Sequence, residues 1–182
     1  MDLTEEEKNI LINIVKRTIQ CKLDGTETPE LQVESEILKE KRGAFVTLKK
    51  NGQLRGCIGY IDAKRPLYKT IEEMAVASAF NDPRFSPLRR DELKHLILEI
   101  SVLSPLTIIR NVEEINIGVH GLYIVKGYHS GLLLPQVAIE YKWDRLTFLE
   151  ETCYKANISP NAWKEKDTKI YIFSANVFSY HW

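Results

Sequence analysis

"GAFVTLKKNGQLRGCIGYI", residues 43–61, decides the fold class. Two strand-like runs flank Asn51-Gly52, the dipeptide favoured by two-residue type I′ turns, in which both central residues take positive φ. The segment therefore predicts an antiparallel hairpin. With Asn51-Gly52 as its loop, Lys50 faces Gln53, Leu48 faces Arg55, Val46 faces Cys57 and Ala44 faces Gly59. Side chains alternate across a sheet. On this register Arg55, Cys57 and Gly59 share a small, mixed face with Leu48, Val46 and Ala44. Phe45, Thr47, Leu54 and Ile58 point the other way, towards the core.

Outward from the hairpin, helices and strands alternate. Thr4 and Glu7 form a capping-box pattern, and Ile10, Leu11, Ile14, Val15 and Thr18 follow at helical spacing. Gly25 and Pro29 stop that helix, and "ELQVESEILKEKR" reads as a connector. Pro66 opens a second helix, lined by Ile71, Met74, Ala75, Ser78 and Ala79, which ends before Asn81-Asp82-Pro83. "KHLILEISVLSP" alternates as a strand, with Leu96, Leu98, Ile100 and Val102 on one face. Glu99 and Ser101 lie on the other face and require polar partners. Leu122 to Val125 pairs with Leu132 to Leu134 in a second hairpin. Two helical pieces then follow, broken near Trp143-Asp144, and "KIYIFSANVF" closes as a strand. Antiparallel hairpins with helices between them give an α+β protein, an antiparallel sheet flanked by helices.

Composition narrows the function. The 182 residues carry 25 basic and 25 acidic side chains, and this neutrality argues against a chain that coats nucleic acid or an anionic membrane. No run reaches the roughly 18 apolar residues of a membrane span. Cys21, Cys57 and Cys153 are sparse and odd in number, as for reduced thiols. With an acidic start that does not resemble a signal peptide, they imply a cytoplasmic protein. The four histidines and three cysteines lack metal-ligand spacing. No glycine-rich loop has dinucleotide or P-loop spacing, so neither a metal nor a cofactor is called for.

The candidate chemistry centres on residues 54–59, "LRGCIG". Cys57 reads either as a structural thiol or as a nucleophile or ligand contact. Arg55, two residues away, would favour its thiolate or hold an anionic group bidentately, unless it merely pairs with a carboxylate such as Glu99. Gly56 and Gly59 allow a backbone or a ligand to approach closely. His120, in "GVHG", reads as a base or as a turn histidine bonded to backbone. Asp82 and Arg84, around Pro83, either stabilise their own turn or line a pocket with Phe85. Arg84, Arg89, Arg90 and Lys94 are interrupted by Asp91 and Glu92, which reads as a solvated surface.

Six motifs occur in order: "LRGCIG", "NDPRFSPL" (81–88), "EISVLSP" (99–105), "GVHGL" (118–122), "GLLLPQVA" (131–138) and "W…FLEETCYKA" (143–156). Together they resemble the AMME-chromosomal-region (AMMECR) domain family, without departure in these stretches. The resemblance implies a single domain over 1–182 with two lobes, the larger holding both chain ends and the smaller the middle segment. It also implies a cleft between the lobes near Arg55, Cys57, Asp82, Arg84, Glu99 and His120. It assigns no reaction, although prokaryotic members occur with Memo-like and radical-SAM proteins, which are implied partners. Two functions stay open. In the first, an enzyme acts on a small anionic substrate, with Cys57 as nucleophile, His120 as base and Arg55 as anion holder. In the second, a non-catalytic module binds a ligand or a partner through Arg55 and Arg84, with Gly56, Gly59, Asp82 and Glu99 around them.

Overall fold

Helix α1 (Glu5–Asp24) starts and stops where its local chemistry dictates. Thr4 accepts from the Glu7 N–H while the Glu7 carboxylate reaches back to the Thr4 N–H, and Gly25 ends the helix at φ 69°. A cap of this kind contributes about 1 kcal/mol. The computed structural model describes residues 3–62 and 64–182. Contacts divide the chain into two compact units, one comprising Met1–Leu103 and Asn176–Trp182, the other Ser104–Ala175.

In the first unit a short helix α2 (Glu36–Lys39) interrupts the connector after α1. The hairpin strands are β1 (Ala44–Lys50) and β2 (Gln53–Tyr60), followed by helix α3 (Leu67–Phe80) and strand β3 (Leu96–Leu103). With the last strand, β8 (Ala175–His181), they form a four-stranded sheet in the order β2-β1-β3-β8. Helix α3 packs on β1, β2 and α1. Asn51 and Gly52 take φ 50° and 78°, as the type I′ reading requires.

The hairpin register differs from the sequence expectation. Lys50 faces Gln53 and Lys49 faces Leu54, but Leu48 then faces Gly56, so Arg55 is the extra residue of a β-bulge. A one-residue slip sends every later side chain to the opposite face. Cys57 therefore faces Thr47 and Gly59 faces Phe45, while Ile58 faces Val46. On β1 the core face is also the reverse of the expected one, whereas Ile58 packs against the core as expected. Ala44, Val46 and Leu48 are buried with Leu98, Ile100 and Val102 and with Val15, Ile71 and Met74 from the helices. Thr47, Cys57 and Glu99 lie together on the other face of the sheet.

The second unit has its own core, which includes Ile115, Leu122, Ile124, Phe148, Leu149 and Cys153. Its strands are β4 (Thr107–Ile109), β5 (Gly121–Lys126), β6 (His129–Leu133) and β7 (Lys169–Phe173), in the order β4-β7-β5-β6. Helix α4 (Pro135–Glu140) is separated from α5 (Arg145–Lys155) at Trp143-Asp144, and Asp144 caps α5 by accepting from the Thr147 N–H. The closing stretch is two strands rather than one. It breaks at Ser174, whose N–H donates to Ser104 Oγ and whose carbonyl accepts from the Ser104 N–H, both at 2.9 Å. One half, β7, joins the second sheet and the other, β8, joins the first. Among the described residues, no helix is long and apolar enough to cross a membrane.

Candidate functional site

The two glycines of "LRGCIG" have separate, internal reasons. A Cβ on Gly56 would lie 2.0 Å from the Ser78 carbonyl oxygen, so glycine is what lets the α3 backbone lie against β2. A Cβ on Gly59 would lie 2.3 Å from the Phe45 ring. The space over both is taken by the protein itself.

β2 is an edge strand, and its outward backbone groups need partners. At Cys57 they are supplied by the Asp-Pro-Arg turn after α3. Asp82 Oδ2 accepts from the Cys57 N–H at 2.9 Å, and Arg84 Nη2 donates to the Cys57 carbonyl at 3.2 Å. The two side chains are themselves joined, Arg84 Nε to Asp82 Oδ1 at 3.0 Å and Nη2 to Oδ2 at 2.8 Å. The Arg84 N–H adds a further bond to Oδ1 at 3.1 Å. The Asp82 side chain is 2% exposed, whereas that of Arg84 is 53% exposed. The Arg84 guanidinium holds the Asp82 carboxyl well below the usual carboxylate range. Burial opposes the shift, and the Cys57 and Arg84 N–H groups reinforce it.

Arg55 belongs to a second ion pair, and its partner is Glu92 rather than Glu99. Its Nε and Nη2 each donate to Glu92 at 3.0 Å, and Nη2 also donates to the Ser86 carbonyl at 2.9 Å. Lys50 Nζ at 2.9 Å and the Arg89 N–H at 3.0 Å complete the shell around that carboxylate. Arg84, Arg89, Arg90, Asp91 and Lys94 are exposed as expected, but Glu92, at 5% exposure, is a buried anchor within that run. The Arg55 guanidinium holds the Glu92 carboxyl down to about 2 despite burial, with help from Lys50 and the Arg89 N–H. Phe85 lies between the two pairs, its centroid 5.9 Å from Arg55 Cζ and 5.5 Å from Arg84 Cζ.

The half-buried Cys57 thiol accepts from Thr47 Oγ1 at 3.1 Å. Across β1, Thr47 faces Glu99, which pairs with Lys49 at 2.9 Å. Ser101 Oγ, on the same face, is buried without a partner among the described residues. The structure thus gathers Arg55, Cys57, Asp82, Arg84 and Glu99 in the first unit. His120 belongs to the second unit, where its Nδ1 accepts from the Asn116 N–H at 3.2 Å. Among the described residues, no group of three His, Cys, Asp or Glu side chains is placed to hold a metal.

Sequence reasoning missed Glu92, Thr47 and Lys49. Glu92 carries one usable signal. It stands three residues after Arg89, in the 3-10 turn Arg90–His95, at the spacing from which a glutamate reaches back to a helical N-terminus. The expected register assigns Thr47 to the core face, and the bulge in β2 hides that it faces Cys57.

The AMMECR1 family model matches residues 12–178. Protein MK0488 of Methanopyrus kandleri is 40% identical over 185 residues, covering 97% of this chain and 89% of the relative. Protein PYRAB00100 of Pyrococcus abyssi is 40% identical over 187 residues, covering 97% and 91%. A crystal structure of the uncharacterized protein PH0010 from Pyrococcus horikoshii superposes with a TM-score of 0.87 at 39% identity. It covers 94% of this chain and 90% of that one.

Proposed function

The chain belongs to the AMMECR1 family, and from that premise we propose that it is a ligand-binding protein whose working surface is the Cys57 side of the first unit. The ligand is a small anion, held without a covalent bond. The observation that carries this reading is the Asp82–Arg84 clamp. It fixes Arg84 against the backbone of Cys57 through Nε and Nη2 yet leaves the side chain half exposed. A guanidinium immobilised in advance loses little freedom when a carboxylate arrives. Cys57 and Thr47 then serve as neutral contacts.

The enzyme reading draws on the Thr47 hydroxyl, which donates to the Cys57 sulfur as it would to a thiolate. Two features weigh against it. Arg55 is already bonded to Glu92 and Ser86, which leaves it poorly placed to hold a substrate. His120 accepts at Nδ1, so its neutral ring carries the proton on Nε2, the nitrogen otherwise available to act as a base.

Calorimetric titration with citrate and succinate, on the native protein and on Arg84→Lys, Arg84→Ala and Cys57→Ser, tests the proposal. The native protein and Cys57→Ser bind at least one of these carboxylates with similar affinity. Arg84→Ala weakens binding by about 1.5–3 kcal/mol, as for a lost charged hydrogen bond, and Arg84→Lys recovers part of it. Loss of binding in Cys57→Ser with Arg84→Ala unaffected overturns the reading, as does a covalent adduct on Cys57 in the mass spectrum.

A further inference from the structure

We propose that the second unit carries a separate pocket for a small organic phosphate. A cavity of about 610 Å³ lies between β4 with the turn that follows it and the segment leading from the 3-10 turn Ala162–Lys164 into β7. Pockets that take metabolite-sized ligands span roughly 300–1,000 Å³.

Four cations line this cavity: Arg110, Lys164, Lys166 and Lys169. Arg110, Lys166 and Lys169 have no hydrogen-bond or ion-pair partner among the described residues. Lys164 donates to Asn161 Oδ1 at 2.9 Å and lies 5.0 Å from the Trp163 ring centroid. The acidic side chain in the lining, Glu165, is engaged by Lys126. The lining therefore carries an excess of positive charge, four cations against one carboxylate, in a chain whose basic and acidic side chains balance at 25 each. Clustered like charges repel and contribute nothing to folding. An anion placed among them relieves the repulsion.

The rest of the wall selects the kind of anion. Ile108, Val112 and Trp163 offer apolar surface to a ligand body. The Trp163 indole N–H is buried and has no acceptor among the described residues. Arginine's planar fork matches phosphate, and the lysines add point charges around it. The cations share the lining of one half-open cavity of metabolite size, which fits a small phosphate better than a polyanion.

The test is calorimetric titration of the native chain with AMP, pyrophosphate and adenosine, at about 50 mM and about 300 mM salt to vary screening. AMP and pyrophosphate bind saturably at low salt, several-fold more weakly at high salt, and adenosine binds at least about tenfold more weakly than AMP. The double variant Arg110→Ala, Lys169→Ala loses at least about tenfold in affinity at an unchanged melting temperature, since neither side chain has a partner to lose. Lys22→Ala, an exposed lysine on α1, leaves binding unaltered. No heat with AMP or pyrophosphate at millimolar concentration overturns the proposal. So does equal affinity in the double variant, or binding of duplex DNA where neither small phosphate binds.

Discussion

Around β2, Arg55 and Lys50 share the Glu92 carboxylate, Arg84 holds Asp82, and Lys49 holds Glu99. Around β4 and β7, Arg110, Lys166 and Lys169 hold nothing among the described residues. The same residue types serve opposite ends. In the first region the Glu92 and Asp82 carboxylates are buried and that of Glu99 is partly so, and a charge taken out of water must be matched or it destabilises the fold by several kcal/mol. These pairs fix the bulge, the loop after α3 and the edge of the sheet in one arrangement. In the second region the cations stay in water, where leaving them unmatched costs little. Paired charge is architecture here, and unpaired charge is available to a ligand. Arg84 stands between the two cases, because its carboxylate is buried while its own side chain is half exposed.

The contrast breaks most readily at Glu92. Glu92→Ala leaves Arg55 enclosed and uncompensated, and a loss of about 3–5 kcal/mol is expected from breaking such a pair. Urea denaturation measures it, and a loss below about 1 kcal/mol, the range of exposed pairs, would place Arg55–Glu92 with the surface bridges instead. Acid probes the same charges with a smaller effect, because a protonated carboxyl still accepts hydrogen bonds. Glu92 and Asp82 both have folded-state pKa values below their ordinary ones, Glu92 at about 2 against 4.5. Their stabilisation is thus fully present above about pH 5 and is lost as pH falls through 4 towards 2. Equilibrium unfolding followed over that range should decline in the native chain and decline less in Glu92→Gln. Equal slopes would remove Glu92 from the account.

Next in size is Gly56→Ala. The added Cβ would meet the Ser78 carbonyl oxygen at 2.0 Å, and this neighbour is backbone in the last turns of α3, so it cannot swing aside. Helix and strand must separate, at about 1–3 kcal/mol for overpacking. Gly52→Ala supplies the comparison: its Cβ would meet nothing within 4 Å, but φ is 78°, so its cost is backbone strain alone, about 1–2 kcal/mol. Thermal unfolding of the two variants separates the causes. Only Gly56→Ala should also disturb the Asp82 clamp, read as faster alkylation of Cys57.

The features legible in the sequence are those decided by near neighbours. The Thr4–Glu7 cap, the Gly25 stop, the Asn51-Gly52 turn and the α4–α5 break are each settled within a few residues. The bulge was not legible, because Arg55 leaves the regular ladder to meet a carboxylate 37 residues further on. Glu92 looked like part of a solvated basic-acidic run, since nothing local marks it as buried. "KIYIFSANVF" reads as one strand on propensity, and its division depends on Ser104, 70 residues before Ser174. The residues of "LRGCIG" and "NDPRF" stand out as candidates in the sequence itself. Which carboxylate each arginine takes, and which face Cys57 occupies, required the register.

The smallest expected effect lies in the second region, and its smallness is the point. Arg110→Ala and Lys166→Ala remove side chains that are exposed and unpartnered, so each should change stability by no more than about 0.5 kcal/mol in urea denaturation. If the unmatched cations repel one another, the sign is towards stabilisation. Added salt should then shrink the difference between variant and native chain, because screening removes the same repulsion. A loss of 2 kcal/mol or more on the scale of the Glu92 variant would mean that these cations also hold the fold together, and the division between matched and unmatched charge would fail at the residues that define it.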